Sequence, residues 1–216
     1  MTKLKEKDFI EVEFTGRTVD GEIFDSNIKK DLEEAQLKGE SKPFIFSLGQ
    51  GMFMKGIDDF LVGKEVGETY KIELQPENAF GMREAKAIQM IPIKIFRQHK
   101  INPVAGIAFN FDGRMAKVLS VSGGRVMTDF NHPLAGKVVS YEVKVTKQIT
   151  DQNEKVKAFN EFLFKRDIEF EIKDKSIVLK LEKPMVQFAE MFKDKFKEIF
   201  GLDLVVEEKK TATKSQ

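Results

Sequence analysis

At 216 residues the chain has room for one to two ordinary domains. Its 41% hydrophobic and 33% charged composition suits a folded globular protein and excludes a disordered one. A formal net charge of +1 gives no global field to gather nucleic acid or an anionic membrane, and the absence of cysteine excludes disulfides, thiolate metal sites and cysteine nucleophiles.

No apolar run exceeds three residues, so no spanning helix is expected, and Met1 to Lys7 lacks the apolar core of a signal peptide. A cytosolic home is the expectation. With 20 Phe and 9 Met against two Tyr and no Trp, the apolar surfaces must be built from Phe and Met.

Phe9 to Phe14 has strand composition, and Asp20-Gly21 is a tight-turn signal before Ile23-Phe24. Residues 27–42 are polar and read as a long loop with a helical turn near Leu32 to Ala35. Lys42 to Phe46 is a further strand. Ile57 to Val62 has helical spacing and stops at Gly63. Tyr70 to Leu74 alternates, as expected of a strand. Ile93 to His99 reads as a short helix. Ala105 to Phe111, Ala116 to Val121 and Arg125 to Phe130 read as strands separated by Asp112-Gly113 and Gly123-Gly124. Val138 to Val145 is another.

After Thr150 the pattern changes. Asp151 to Glu154 has the form of a capping box ahead of a helix carrying Val156, Phe159, Phe162 and Leu163. Two alternating runs follow, one through Ile168, Phe170 and Ile172 and one through Ile177, Leu179 and Leu181. Pro184 suits a helix start. Met185, Phe188, Ala189, Phe192, Phe196, Ile199 and Phe200 mark one apolar helix face that ends at Gly201. Leu202 to Val206 is a last strand, before a polar tail.

Charge is uneven along the chain. Residues 84–128 hold seven basic and two acidic side chains, a balance of +5 within an acidic frame. This singles out an inserted unit. Lys94, Arg97 and Lys100, three apart, read as a solubilising edge. The chemistry of a cutting or redox enzyme is missing. His99 and His132 are the two histidines; neither a metal-binding His pair nor a phosphate loop nor a nucleophile elbow is present. No metal or cofactor is expected.

A set of short motifs recurs in a fixed order: Phe14-Thr15-Gly16, Asp20-Gly21, Phe24-Asp25-Ser26, Pro43 to Gly49, Met52 to Asp58, Val66-Gly67-Glu68, Pro76 to Gly81 and Asn131 to Lys137. Together they resemble the FKBP family of peptidyl-prolyl cis/trans isomerases. The spacing of about 50 residues between Ala79-Phe80-Gly81 and the Asn131 motif is similar to the SlyD-like branch, in which an insert-in-flap chaperone domain replaces a loop. The C-terminal part resembles the long archaeal members.

The resemblance implies an α+β fold, an antiparallel half-barrel sheet wrapping a short helix, with a mostly-β insert and a C-terminal α+β domain. The implied domains are 1–83 with 129–150, then 84–128, then 151–207, with a tail at 208–216. It implies a prolyl pocket lined by Phe14, Phe24, Phe44, Phe53, Met54, Ile57, Phe80 and Tyr141, with Asp25 as its acidic member and Leu134 at the rim. Asp25, Phe14, Phe80 and Tyr141 would carry catalysis, and the Met54 N–H would receive a substrate carbonyl. Phe14 and Phe80 stand where a tyrosine is common, so two hydroxyls are missing. Ile88, Met90, Ile91, Ile95 and Phe96 would offer the chaperone face. The implied partners are unfolded or nascent polypeptides containing Xaa-Pro bonds, with neither membrane nor nucleic acid expected. A chaperone with weak isomerase activity is the alternative. About 55 C-terminal residues are marginal for an independent core. Docking or a homodimer through Phe188, Phe192, Phe196 and Phe200 would offset that.

Overall fold

A computed structural model describes residues 3–39, 41–111 and 113–209. Asp112 of the Asp112-Gly113 turn signal and the tail beyond 209 lie outside the described residues. The strands run β1 (Phe9–Thr18), β2 (Ile23–Ser26), β3 (Phe44–Ser47), β4 (Thr69–Leu74), β5 (Ile88–Pro92), β6 (Ala108–Phe111), β7 (Arg114–Ser122), β8 (Arg125–Asp129), β9 (Val139–Ile149), β10 (Phe170–Lys173), β11 (Ser176–Leu181) and β12 (Asp203–Glu208). The helices are α1 (Lys29–Glu34), α2 (Lys55–Leu61), α3 (Ile93–Gln98), α4 (Gln152–Phe164), α5 (Lys183–Glu190) and α6 (Lys193–Phe200). This is a mixed α+β fold. Among the described residues no helix is long and apolar enough to cross a membrane.

The strands form three sheets, in the orders β2-β1-β9-β4 with β3 on β1, β5-β8-β7-β6, and β10-β11-β12. The chain clusters into two compact units. One holds Met1–Thr15, Asp25–Lys71 and Glu142–Gln216, the other Gly16–Phe24 and Ile72–Tyr141.

In the first unit β3 lies antiparallel on β1, from Phe9 opposite Ser47 to Val12 opposite Phe44. The C-terminal elements belong to this same unit. Asp151 caps α4 by accepting the Glu154 N–H at 2.9 Å. β11 pairs antiparallel with β10 and parallel with β12. The apolar run Met185 to Phe200 is two helices, not one. The chain turns at Met191-Phe192, which brings the Phe188 and Phe192 rings to 5.0 Å and turns α6 inward. Phe196 and Phe200 then pack on Phe159 at 5.2 and 5.6 Å, and Phe200 stacks on Phe9 of β1 at 5.7 Å. The C-terminal core thus continues into the N-terminal strand of the same chain. Gly201 ends α6 with φ +69°, a left-handed conformation that glycine adopts without steric cost.

The second unit holds the four-stranded sheet with α3 beside it. Phe96, Val118 and Val126 form its core, with Ile91, Ile93, Ile101 and Phe109 packed against them. β5 was not apparent from the sequence pattern. Pro92 suggests a break, yet here it sits at the last position of β5, which among the described residues pairs with β8 alone, so the missing N–H costs no ladder bond in the interior.

The two chain crossings at the root of this sheet are clamped together. Arg83 donates from Nε and Nη2 to Asp129 Oδ2 at 3.0 and 2.5 Å. The Asn131 amide accepts the Glu84 N–H at 2.8 Å and donates to the Glu84 carbonyl at 3.1 Å. Asp129 is 9% exposed. Burial alone would raise its pKa, but the Asn131 backbone N–H, the Asn131 amide and the Arg83 guanidinium hold it below the ordinary carboxylate range.

Candidate active site

The residues expected to line a prolyl pocket fall into two aromatic clusters. The first is built on β1, β3 and the turn into α2. Phe14 lies 5.9 Å from Phe44 and 5.0 Å from Phe53, and Phe44 lies 5.0 Å from Phe53. Phe46 completes the group, 5.3 Å from both Phe44 and Phe53. Phe44 and Phe46 are stacked and the other pairs meet edge-on or tilted, arrangements that ring quadrupoles favour. Phe44 and Phe53 are half-buried and keep accessible surface, whereas Phe14 is buried. Met54 heads α2 with extended backbone, φ −68° and ψ 131°, and its carbonyl accepts the Ile57 and Asp58 N–H groups. Its own N–H precedes the helix and is not consumed by it. Ile57 is 0% exposed, so it presents no surface to a substrate.

Asp25, half-buried on β2, belongs to the same unit. Two residues downstream stands Asn27, in the polar 27–42 segment whose pattern indicates only a loop. The Asn27 Oδ1 accepts the Phe14 N–H at 2.8 Å, and its Nδ2 donates to the Val12 carbonyl at 2.9 Å. The Asn27 N–H itself donates to the Phe14 carbonyl at 3.3 Å. The β1–β3 register ends at Val12 opposite Phe44. From that point the side-chain amide of Asn27 stands in for a strand. It satisfies the Phe14 N–H and the Val12 carbonyl of β1. The same turn is tied by Ser26, whose hydroxyl donates to the Phe14 carbonyl at 2.9 Å and to Asp31 at 3.2 Å, and by a bond from Thr15 to Asp31. Polar residues after Phe24-Asp25 were the available signal, but only the fold shows what they hold.

The second cluster is Phe24, Phe80 and Tyr141. Phe24 meets both other rings edge-on at 5.6 Å. Gly16 makes room for it. A Cβ there would sit 2.9 Å from both the Phe24 and Tyr141 rings, closer than real Cβ contacts allow. His132, part of the Asn131 to Lys137 motif, has its ring parallel to Phe80 at 4.5 Å. Burial pushes its pKa down, and its Nδ1 accepts the Leu134 N–H at 3.2 Å, consistent with a neutral imidazole. Tyr141 is buried, and Leu134 is half-buried on the loop before β9.

The expected chaperone residues also divide. Met90 is exposed, and Ile88, Ile91 and Ile95 are half-buried. Phe96 is 0% exposed, because it is the inward position of α3 and the centre of the sheet's core. Ile107, which alternates with Phe109 and Phe111 in the sequence, is exposed, as are Val104, Met115, Leu119 and Val121, which pattern alone does not single out. Among the described residues no group of three or more acidic or histidine side chains is placed to hold a metal.

Comparison with known proteins bears on this arrangement. The family model for FKBP-type peptidyl-prolyl cis-trans isomerases matches residues 1–97, and a model described as the FKBP26 IF domain matches residues 89–134. The short-type peptidyl-prolyl cis-trans isomerase of Methanocaldococcus jannaschii is 32% identical over 145 residues, spanning 66% of this chain and 92% of that protein. A probable FKBP-type 16 kDa isomerase of Pseudomonas fluorescens is 27% identical over 139 residues, spanning 63% of this chain and 85% of its own length. The SlyD isomerase of Aeromonas hydrophila is 28% identical over 138 residues, spanning 63% of this chain and 60% of its own length. With this identity to the Methanocaldococcus jannaschii protein across 92% of its length, the chain belongs to the family of FKBP-type peptidyl-prolyl cis-trans isomerases.

Proposed function

We propose that this isomerase accelerates proline-limited protein folding, and that its four-stranded sheet holds unfolded chain while the aromatic cluster around Phe44 and Phe53 turns the prolyl bond. The observation that carries the reading is the pair of half-buried rings Phe44 and Phe53 in the first unit, packed on each other and on Phe14 and each retaining surface. Rotation about a prolyl bond has a barrier of roughly 18–20 kcal/mol because amide resonance must be broken. No bond is made or cut, so neither nucleophile nor metal is required. An apolar aromatic surface favours the twisted, less dipolar amide over the planar one. A hundred- to thousandfold acceleration asks for only about 3–4 kcal/mol of differential binding. Asp25 supplies the polar group, and the Met54 N–H holds a substrate carbonyl.

Chaperone binding is assigned to Met90, Val104, Ile107, Met115 and Val121. They are apolar and exposed, and all but Val104 and Ile107 lie on strands of the sheet. Methionine adapts its shape to many partners. Phe188 and Met191, exposed at the end of α5, are the surface a homodimer would use.

The test is the proline-limited refolding of a model protein at substoichiometric isomerase. Turnover is expected. Asp25→Ala is expected to lower kcat/KM by about ten- to a hundredfold, the worth of one hydrogen bond to a charged group at about 1.5–3 kcal/mol. Asn27→Ala should act in the same direction through Phe14 and Asp25. Parent-like activity in Asp25→Ala would remove that residue from the site. No acceleration by the parent, with aggregation still suppressed, would replace this reading by a chaperone alone.

A further inference from the structure

The root of the four-stranded sheet carries a pocket of about 390 Å³, lined by Arg83, Lys117, Asp129 and Lys137, with Met115 and Pro133 among its apolar walls. Three cations face one carboxylate, and that carboxylate is already consumed. Asp129 Oδ2 is taken by Arg83 and Oδ1 by the Asn131 N–H and side-chain amide, at 2.9 and 2.6 Å. Lys117 stands directly opposite Asp129 in the β7–β8 register, yet its ammonium makes no ion pair there. Among the described residues neither Lys117 nor Lys137 pairs with any carboxylate. Lysines elsewhere do, as Lys71 does with Glu142 and Lys180 with Glu171. Two unmatched ammonium groups in a concave, partly apolar setting are a site for an anion that carries an apolar neighbour.

We propose that this pocket binds a carboxylate of the unfolded polypeptide, so that acidic segments with an adjacent apolar residue are held preferentially at the base of the sheet. The inference rests on the chaperone reading above and gives it a substrate preference. Lys117 and Lys137 supply the charge, Arg83 is fixed by Asp129 and offers its remaining N–H groups, and Met115 takes the apolar neighbour.

The test is fluorescence anisotropy with three labelled, proline-free, unstructured peptides on the full chain. The first carries Glu and an amidated C-terminus, the second has Gln for each Glu, and the third is the Gln peptide with a free C-terminal carboxylate. The Glu peptide is expected to bind about tenfold more tightly than the amidated Gln peptide. Lys117→Met with Lys137→Met should abolish the difference while leaving isomerisation of a short prolyl peptide unchanged. Tight binding of the third peptide would identify the chain terminus as the source of the carboxylate; tight binding of the first alone would identify side chains. Equal binding of all three would overturn the pocket and leave the chaperone reading standing. Failure of all three to bind would overturn both. A single-stranded RNA that outcompetes the Glu peptide and loses affinity in the double variant would overturn the carboxylate assignment in favour of phosphate.

Discussion

Phe96→Ala is expected to unfold the four-stranded sheet region while β1 and β9 remain folded. Phe96 is fully buried, and its ring meets Phe109 at 5.1 Å and Phe111 at 5.9 Å, with Val118 and Val126 completing the core. Truncating such a side chain removes its transfer free energy and leaves a cavity, together about 3–5 kcal/mol. A core of this size supplies little more than that, since small units bury a smaller share of their surface. Hydrogen exchange is the direct measurement. Amides of β5, β7 and β8 should lose protection, and those of β1 and β9 should keep it. Suppression of aggregation should be lost with the sheet, while a short prolyl peptide is still isomerised. Met90→Ser is the companion variant. Its side chain is 56% exposed, so it should weaken client binding without loss of protection. Uniform loss of protection across all strands in Phe96→Ala would show that the sheet is not a separate cooperative unit.

Asp58→Asn is expected to flatten the pH dependence of stability between about pH 4 and 6. Asp58 is 3% exposed in the first turn of α2. Its Oδ2 accepts the Gly51 N–H at 3.3 Å, and its Oδ1 is buried with no hydrogen-bond partner among the described residues. Burial pushes its pKa from 3.8 up to about 6, and the neighbouring Asp59 adds to this, against the Gly51 and Gly49 N–H groups and Lys55. The folded state therefore holds this proton more tightly than the unfolded chain does. Its contribution is fully present below the unfolded pKa near 4, and is lost as pH rises through the folded value near 6. With each pKa unit worth about 1.4 kcal/mol, the loss is on the order of 3 kcal/mol. Asp129, Glu169, Glu171 and Glu198, whose pKa values are lowered, act in the opposite sense. The quantity to measure is thus parent minus variant, by urea unfolding at pH 4 and pH 7.5. Asp58→Asn should gain on the parent as pH rises. Parallel pH profiles for the two would show that the carboxyl is not titrating in a buried setting. Asp58 also follows Ile57 and anchors the loop that leads into Phe53 and Met54, so an uncharged side chain there should leave the first aromatic cluster in place.

Most strands, turns and helix ends were legible because their causes are local. Alternation in Tyr70 to Leu74, the Asp20-Gly21 and Gly123-Gly124 turns, the Asp151 cap and the Gly201 stop each depend on residues a few positions apart. The aromatic motifs were legible in another way, since their order along the chain carries the family likeness even where each piece alone is weak. What the linear pattern could not supply was the identity of neighbours. Phe96 reads as one of several apolar residues around Pro92, and only packing against Val118 and Val126 turns it inward. β5 is stabilised by β8, from Ile88 opposite Asp129 to Pro92 opposite Arg125, a pairing nearly forty residues distant that no local periodicity encodes. The single apolar face from Met185 to Phe200 is equally consistent with one helix or two, and the choice is made where α6 turns to meet Phe159 and Phe9. Asn27, Arg83 and Asn131 looked like ordinary polar loop residues. Their partners lie 13 to 47 positions away, and a hydrogen bond has meaning only once both ends are brought together. The sequence alone therefore determined most of the elements and the family. Tertiary structure decided which residues are buried, which keep a surface and which charges are left unmatched, because burial and electrostatic environment are properties of spatial neighbours and not of the chain's order.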